Sequence, residues 1–557
     1  MTLAETSFEA AGHMTIPELL AIRVAETPNG VAVVTSDGNL SYAQWLHEAT
    51  KVSWALRGHA DVIAGDRVAV WISKGDSRAF VTSFHGALHA GAIAIPLDDR
   101  ISAHDLAGIL NETTARAIVV SSRLLMRLTE NGRRELGVPD SFNSVNTQST
   151  LMMPVENGRL LIDRATPIGL EHGFADVDRS PVSRNSEDCA FLGFTSGSTG
   201  RPKGVMISHG GAVQLAERMR NAIFALPRGG RPVSTPDVIQ SPIPCYLTTS
   251  IVNNLYPAVL AGCPLVYEGQ RFDPAASERM MVEQHTTIYN GAPVHYARIC
   301  ALPTSPESPT PNVEVMIMSG SPLTRELYTA IRNRWKGTGI ANWYALNETL
   351  TGQTLNIGST LESNPTAVGV PIWPTEVKLV DDRDEIVPQG QEGEILMRAA
   401  GQMMGYFGRD DESKLSITDG WIRTGDRGYF DNDGLLNLSG RNKERINRGA
   451  FKFFPNEVES VLEEHPRVVE AAVIGVPHPE LGQDVVSFVV LKDGGGDDER
   501  EEILLKEFCL EKLARHKIPA RIFVMDRLPR GDYGKIKKTE LLELYQSMPR
   551  AEAESAR

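Results

Sequence analysis

The sequence predicts an α/β protein: two sheets of parallel type with helices, a β-rich piece after them, and a small α+β domain towards the C-terminal end. Three observations predict it. The chain has 557 residues, too many for one hydrophobic core, so at least two domains are expected. From about residue 16 to 120, short apolar strands alternate with segments of helical period, the order that builds a mostly parallel sheet covered on both faces. Beyond about residue 444, strands at 468–475, 485–491 and 520–525 alternate with helices at 456–462 and 501–513.

In the first stretch the helical spacing begins at Pro17, Val31-Ala-Val-Val-Thr35 is a strand, and Ser41 opens a second helix. A buried strand at 67–72, a helix at 78–90 and a strand at 92–96 complete what reads as one sheet. Gly75-Asp-Ser77 closes a strand-to-helix turn. Residues 143–188, rich in Pro, Ser, Asn and charge without a clear period, read as a surface connection. A second parallel sheet follows from residues 315–322, a core strand ending in a turn, and residues 342–348, a strand ending in polar residues; both strand ends would open on one edge, where open α/β sheets bind ligands.

Composition narrows the function. With 41% hydrophobic and 23% charged residues the chain is an ordinary globular protein. A net charge of -14 argues against nucleic-acid binding, which needs a basic face. Cys189, Cys245, Cys263, Cys300 and Cys509 stand singly with no metal spacing, as buried thiols do in a reducing compartment. The first residues carry Glu5 and Glu9 and no basic, apolar leader pattern, and no apolar run approaches the ~20 residues of a membrane span. A cytoplasmic protein without membrane attachment is expected.

The chemistry concentrates in Phe191-Leu-Gly-Phe-Thr-Ser-Gly-Ser-Thr-Gly-Arg-Pro-Lys-Gly-Val-Met-Ile-Ser208. Two apolar runs flank a loop of glycines, hydroxyls and one lysine. Glycines let consecutive backbone N–H groups turn onto one anion, hydroxyls add donors, and Lys203 adds a mobile charge. It is not a Walker A loop, because Gly-Lys-Ser/Thr is absent and a strand follows at once.

Thr195-Ser-Gly-Ser-Thr-Gly-Arg-Pro-Lys203 resembles the phosphate loop of the adenylate-forming superfamily, which comprises acyl-CoA synthetases, adenylation domains and beetle luciferases. Later motifs follow in the family's order, so the resemblance spans nearly the whole chain. It implies that Thr195, Ser196, Gly197, Ser198, Thr199, Gly200 and Lys203 hold ATP phosphates, and that the turn Gly320, Ser321, Pro322 binds adenine. Asn342, Trp343, Tyr344 and Asn347 would complete the nucleotide site, with Tyr344 stacked on the base. Glu348, together with Thr195, is the implied Mg²⁺ site. Asp426 is the implied acceptor of both ribose hydroxyls, and Arg441 would contact ribose or phosphate. The implied domains are an adenylation domain over 1–439, a hinge over 440–443 pivoting at Lys443, and a mobile domain over 444–557 carrying the catalytic Lys535.

Departures from the family pattern shape the substrate. Asn347 stands for a threonine and Ala345 for a glycine that lies against the acyl group. Counting back from Gly262 places Tyr246 at an aromatic position, Leu247 at a histidine position, and Thr249 where amino-acid-activating relatives keep an aspartate. An α-amino acid is therefore disfavoured, since its ammonium would lack a counter-charge. Tyr246, Leu247, Thr249, Ala345 and Leu346 would line the pocket for an apolar acid, polycyclic or aryl, and the chain distantly resembles synthetases that activate diterpenoid acids in antibiotic biosynthesis. In the loop that serves thioester formation, the family's glycine falls on Ala450, with Gly449 one place early.

The implied reaction joins a carboxylic acid to AMP, using ATP and Mg²⁺, and then to coenzyme A. A separate carrier protein or partner ligase is the alternative acceptor, and a homodimer is the assembly allowed for.

Overall fold

The structure is a computed structural model. It describes residues 7–548 except 37, 139–149, 158, 162–164, 168–179, 196–201, 270–271, 304–310, 322, 351, 442–443, 449–450, 480, 493–497 and 531–535. By internal packing the chain divides into residues 1–376 with 397–422, and residues 377–396 with 423–557.

The first unit holds two nine-stranded sheets. In one, Cys189–Thr195, Ile93–Pro96, Arg67–Trp71 and Ala117–Ser121 run parallel. All five residues of Ala117–Ser121 are buried, as a strand covered on both faces requires. In the other, Gly339–Tyr344, Val315–Met318, Ile288–Gly291, Ile239–Ser241 and Leu265–Tyr267 are parallel neighbours. Antiparallel strands finish both rims.

Helices pack onto these sheets because their ends are locally specified. Thr15 and Glu18 form a reciprocal cap at Ile16–Glu26, and Ser41 and Gln44 do the same at Tyr42–His59. The buried helix Ser77–His89 approaches Tyr42–His59 so closely that a Cβ on Gly86 would lie 2.5 Å from the Val52 side chain. Glycine is required there for contact, not for φ.

Two expectations are corrected. Val31–Thr35 does not join the first sheet; it runs parallel to Leu265–Tyr267 in the second. The pattern of a strand shows its burial but not its partner, and this partner lies far along the chain. The stretch read as a surface connection contains a strand, Thr150–Glu156, antiparallel to Ala117–Ser121, with Leu151, Met152 and Met153 buried. Pro154 obscured it, since proline weakens any strand assignment yet is tolerated where its missing N–H is not needed.

In the second unit, Val468–His478, Gly482–Leu491, Ile446–Arg448 and Phe451–Phe453 form an antiparallel run, with Arg521–Val524 parallel to Gly482–Leu491. The helices Pro455–Glu463 and Asp498–Lys512 bury Val458, Leu462, Leu505 and Cys509 in one core with Val473 and Val489. Residues 377–396 and 423–441, which the sequence placed in the β-rich part of the N-terminal domain, fall on this side of the division. The hinge expected at 440–443 concerns motion rather than packing, and Asn442 and Lys443 lie outside the described residues.

Among the described residues no helix is long and apolar enough to cross a membrane.

Candidate active site

The strands Cys189–Thr195 and Lys203–Ser208 pair antiparallel with Thr195 opposite Lys203, so the ends of the phosphate-loop motif are held together by a ladder. Ser196, Gly197, Ser198, Thr199 and Gly200 lie outside the described residues. Before the loop, Gly193 faces Thr248: a Cβ built on Gly193 would lie 2.3 Å from Thr248 Oγ1. Gly193→Ala should therefore cost about 1–3 kcal/mol as an overpacking change. Thr248→Ala in the same chain should restore most of it, with the urea midpoint as the measurement.

Lys203 ends this hairpin in an acidic and aromatic setting. Its ammonium is ion-paired to Glu412 and lies 5.4 Å from the centre of the Tyr406 ring. Tyr406 belongs to Gly405–Tyr406, the strand paired to the outer side of Lys203–Ser208. Its hydroxyl donates to Glu348 Oε1 at 2.9 Å, and the Met403 N–H donates to the Glu348 carbonyl at 2.9 Å. One tyrosine thus touches both the phosphate-loop lysine and the expected metal carboxylate. Burial and then the Glu348 charge push the Tyr406 hydroxyl far above its usual pKa, so it stays protonated and donates.

Arg409 holds the other side. Its Nη1 donates to Glu412 at 3.2 Å, its Nε to Glu112 at 3.1 Å, and its Nη2 to the Pro202 carbonyl at 3.3 Å. Lys203, first, and Arg409 hold the Glu412 carboxyl below its usual range.

The expected nucleotide residues gather at strand ends of the second sheet. Met318 and Asn342 are partners in a parallel ladder, which sets the turn at Gly320 and Ser321 beside Tyr344 and the turn after it. Gly320 has φ +89° with open space around its α-carbon, a conformation other residues rarely adopt. Pro322 lies outside the described residues. Asn342 is buried, and its amide donates to the carbonyls of Pro365 and Ala367 at 3.3 and 3.1 Å. Trp343 is buried against Gly352. These two side chains are committed to the sheet. The half-buried Ala345, Leu346, Asn347 and Glu348 follow in a turn fixed by Leu346 accepting from the Leu350 N–H at 2.8 Å.

The expected acyl segment is one helical run with a π-helical centre: Thr248–Ser250, Ile251–Leu255, Tyr256–Ala261. Such bulges re-aim side chains and recur at functional sites. Gly262 caps it in the left-handed conformation, and buried Arg23 donates to the Val259 and Leu260 carbonyls at 2.7 and 2.8 Å, placing a cation on the helix C-terminus. Leu247 and Ala345 pack on the same core cluster. Tyr246 is buried in that cluster and donates its hydroxyl to Asp98 and Asp99, at 3.2 Å each. Thr249 Oγ1 accepts from Asn253 at 2.9 Å, and Asn253 also donates to the Leu350 carbonyl at 3.5 Å, tying this helical run to the turn that holds Glu348. His209 begins the helix His209–Arg218, and burial lowers its pKa to about 4, so it is neutral near pH 7.

In the second unit, Asp426 and Arg441 face each other in register on paired strands and form an ion pair of 2.9 Å. Lys535 lies outside the described residues; the backbone on either side is closed by pairing of Arg530 with Ile536 and by the Lys537 N–H donating to the Pro529 carbonyl at 2.8 Å. Arg448 pairs with Phe451, while Gly449 and Ala450 lie outside the described residues.

The sequence matches the family described as AMP-binding enzyme over residues 20–407, and the AMP-binding enzyme C-terminal domain over residues 457–535. The chain belongs to the AMP-binding enzyme family. Membership of the adenylate-forming superfamily, in its acyl-CoA synthetase branch, holds as expected. Among relatives in this family, a feruloyl-CoA synthase of Amycolatopsis sp is 27% identical over 519 residues, covering 93% of this chain and 96% of the relative. A long-chain-fatty-acid–CoA ligase, FadD13, of Mycobacterium tuberculosis is 26% identical over 534 residues, covering 95% and 98%. The crystal structure of ATP-bound MatB from Rhodopseudomonas palustris has a TM-score of 0.77 at 25% identity, covering 96% of this chain and 99% of that one.

Within the AMP-binding family frame, Tyr406, Arg409, Glu412 and Asn253 are the residues that sequence reasoning missed. By its sequence Met404-Gly-Tyr-Phe407 reads only as a short strand with a Gly-rich turn, and the residues after it are assigned no element and no role. A tyrosine beside Gly405 and a Glu in the next turn carry no local signal, because their partners come from other elements.

Proposed function

We propose that this protein is an acid–thiol ligase: it activates an apolar carboxylic acid, polycyclic or aryl, with ATP to acyl-AMP and pyrophosphate, and passes the acyl group to coenzyme A. The observation that carries the reading is the hairpin that delivers Lys203 beside Tyr406 and, through its hydroxyl, Glu348. Family membership supports the reaction class.

A carboxylate must approach a polyanion, so the work of the site is positioning and charge neutralisation. The carboxylate oxygen bonds to the α-phosphorus, the α–β bridging bond breaks, and pyrophosphate leaves. Lys203 and the loop before it bind the β- and γ-phosphates, Tyr344 stacks on adenine, and Lys535 bridges carboxylate and α-phosphate. Asp426 accepts from the ribose hydroxyls. Glu348 offers a hard carboxylate oriented by Tyr406, donor chemistry that fits Mg²⁺, an ion held by one or two carboxylates plus substrate phosphates. When bound, Mg²⁺ supplies neutralising charge. Tyr406→Phe keeps the ring under Lys203 and removes the hydroxyl from Glu348. It should raise the Mg²⁺ concentration for half-maximal pyrophosphate exchange about 10-fold, with the rate at saturating Mg²⁺ near that of the parent.

Leu247, Ala345 and Leu346 support an apolar acid. Ala450, where relatives keep glycine, favours a second reading in which thiolation is weak or delegated to a carrier or partner ligase. In that reading the extra methyl would narrow the thiol's path, and a positive φ there would add roughly 1–2 kcal/mol of strain. Mass-spectrometric quantitation of acyl-AMP and acyl-CoA decides: accumulated acyl-AMP, converted to acyl-CoA by Ala450→Gly, supports delegation, and prompt acyl-CoA from the parent removes it.

A further inference from the structure

Lys203 is the one cation of the phosphate-loop motif whose side chain the structure describes, and it is already engaged. Glu412 holds its ammonium, at a site where the lysine side chain is 17% exposed and the glutamate 39%. The pairing is built rather than incidental. Glu412 lies in the helix Asp410–Ser416, and Arg409 fixes its second oxygen at 3.2 Å while anchoring on Glu112 and the Pro202 carbonyl. The strand preceding that helix is locked by the Tyr406 N–H donating to Ser413 Oγ at 2.8 Å. A carboxylate thus occupies the ammonium that the phosphate-loop reading assigns to a phosphate.

We propose that Glu412 is an internal stand-in for the phosphate chain of the nucleotide: it neutralises Lys203 before ATP binds, is displaced by the β- and γ-phosphates, and recaptures Lys203 as pyrophosphate leaves. This rests on the reading of Lys203 as a phosphate ligand. It goes beyond that reading by assigning Glu412 a positioning role that opposes triphosphate binding. The physical basis is competition: each phosphate contact of Lys203 is made only after an ion pair is broken, and the displaced carboxylate repels the incoming anion. Recapture offsets the cost of releasing pyrophosphate, whose tight binding would otherwise slow turnover.

Isothermal titration of the full chain with inorganic tripolyphosphate, ATP and AMP tests the proposal, comparing the parent with Glu412→Gln, Lys203→Ala and the double variant. Glu412→Gln should bind tripolyphosphate and ATP about two- to fivefold more tightly, less so at high salt, with AMP unchanged. Pyrophosphate should become a correspondingly stronger inhibitor. In the Lys203→Ala background the gain from Glu412→Gln should vanish. Unchanged or weaker triphosphate binding by Glu412→Gln, when Lys203→Ala does weaken it, overturns the stand-in role. A gain that persists without Lys203 overturns it too, because that is general repulsion. If Lys203→Ala leaves triphosphate binding intact, the reading of Lys203 itself fails. Equal tightening of AMP would also contradict the proposal.

Discussion

Glu348→Ala is expected to lower acid-dependent ATP–pyrophosphate exchange on the order of 100-fold or more, because it removes the carboxylate that positions the metal on the phosphates. The structure shows what else the change would touch. Glu348 Oε1 accepts from Tyr406, and losing that bond leaves the largely buried hydroxyl with Ser416 as its remaining partner, at a cost of about 1 kcal/mol. Glu348→Gln separates the two effects, since an amide oxygen can still accept from Tyr406 while carrying no charge. The account predicts that Glu348→Gln unfolds at the parent's urea midpoint and is nearly as inactive as the alanine variant. Activity close to the parent would remove Glu348 from the metal site.

Lys535→Ala is expected to bind ATP as the parent does and to lose acyl-AMP formation by about 3–4 kcal/mol of transition-state stabilisation, the scale of deleting one preorganised donor at a developing charge. That corresponds to a fall of roughly 10²–10³ in rate. The neighbouring Lys537 and Lys538 serve as controls. Lys537 pairs with Glu540 at 2.6 Å and Lys538 with Glu459 at 2.7 Å, so each has a structural counter-charge. Alanine at either should change exchange by less than about 10-fold, judged against the modest worth of such pairs. Single-turnover quantitation of acyl-AMP distinguishes loss of chemistry from loss of nucleotide binding.

The parts of the fold legible in the sequence were those specified locally. Ser41, read as opening a helix, accepts from an N–H in its first turn, and Thr15 and Ser208 cap their helices in the same way. Buried parallel strands such as Val315–Met318 announce themselves as unbroken apolar runs. Strand partners were less legible, because the burial pattern of Val31–Thr35 suits either sheet and only the full packing chooses Leu265–Tyr267. Pro154 hid the strand Thr150–Glu156 for the opposite reason, a local veto overridden by burial of Leu151 to Met153.

The site divides the same way. Lys203, Glu348 and Asp426 could be nominated from the sequence because each sits in a short motif. The link in the first unit could not, since Tyr406 reaches Glu348 from a strand added to the outside of the hairpin and Glu412 reaches Lys203 from the helix after it. Tyr246, counted into the acyl pocket, lies just before the helical run that starts at Thr248, and its hydroxyl donates to Asp98 and Asp99, partners of which the sequence carries no sign. Asn253 broke the apolar pattern of that helix, and the break marks a bond to Thr249 and to the Leu350 carbonyl.

The central claim is that the protein activates a carboxylic acid through an acyl-adenylate. Pyrophosphate exchange into ATP, measured with the full chain and Mg²⁺ over a panel of acetate, fatty, aryl and polycyclic acids, tests it most directly. The account predicts exchange that depends on the acid, is strongest with aryl or polycyclic members, is absent with α-amino acids, and is accompanied by acyl-AMP. Exchange with no acid present, or none with any acid while ATP still binds, would contradict it.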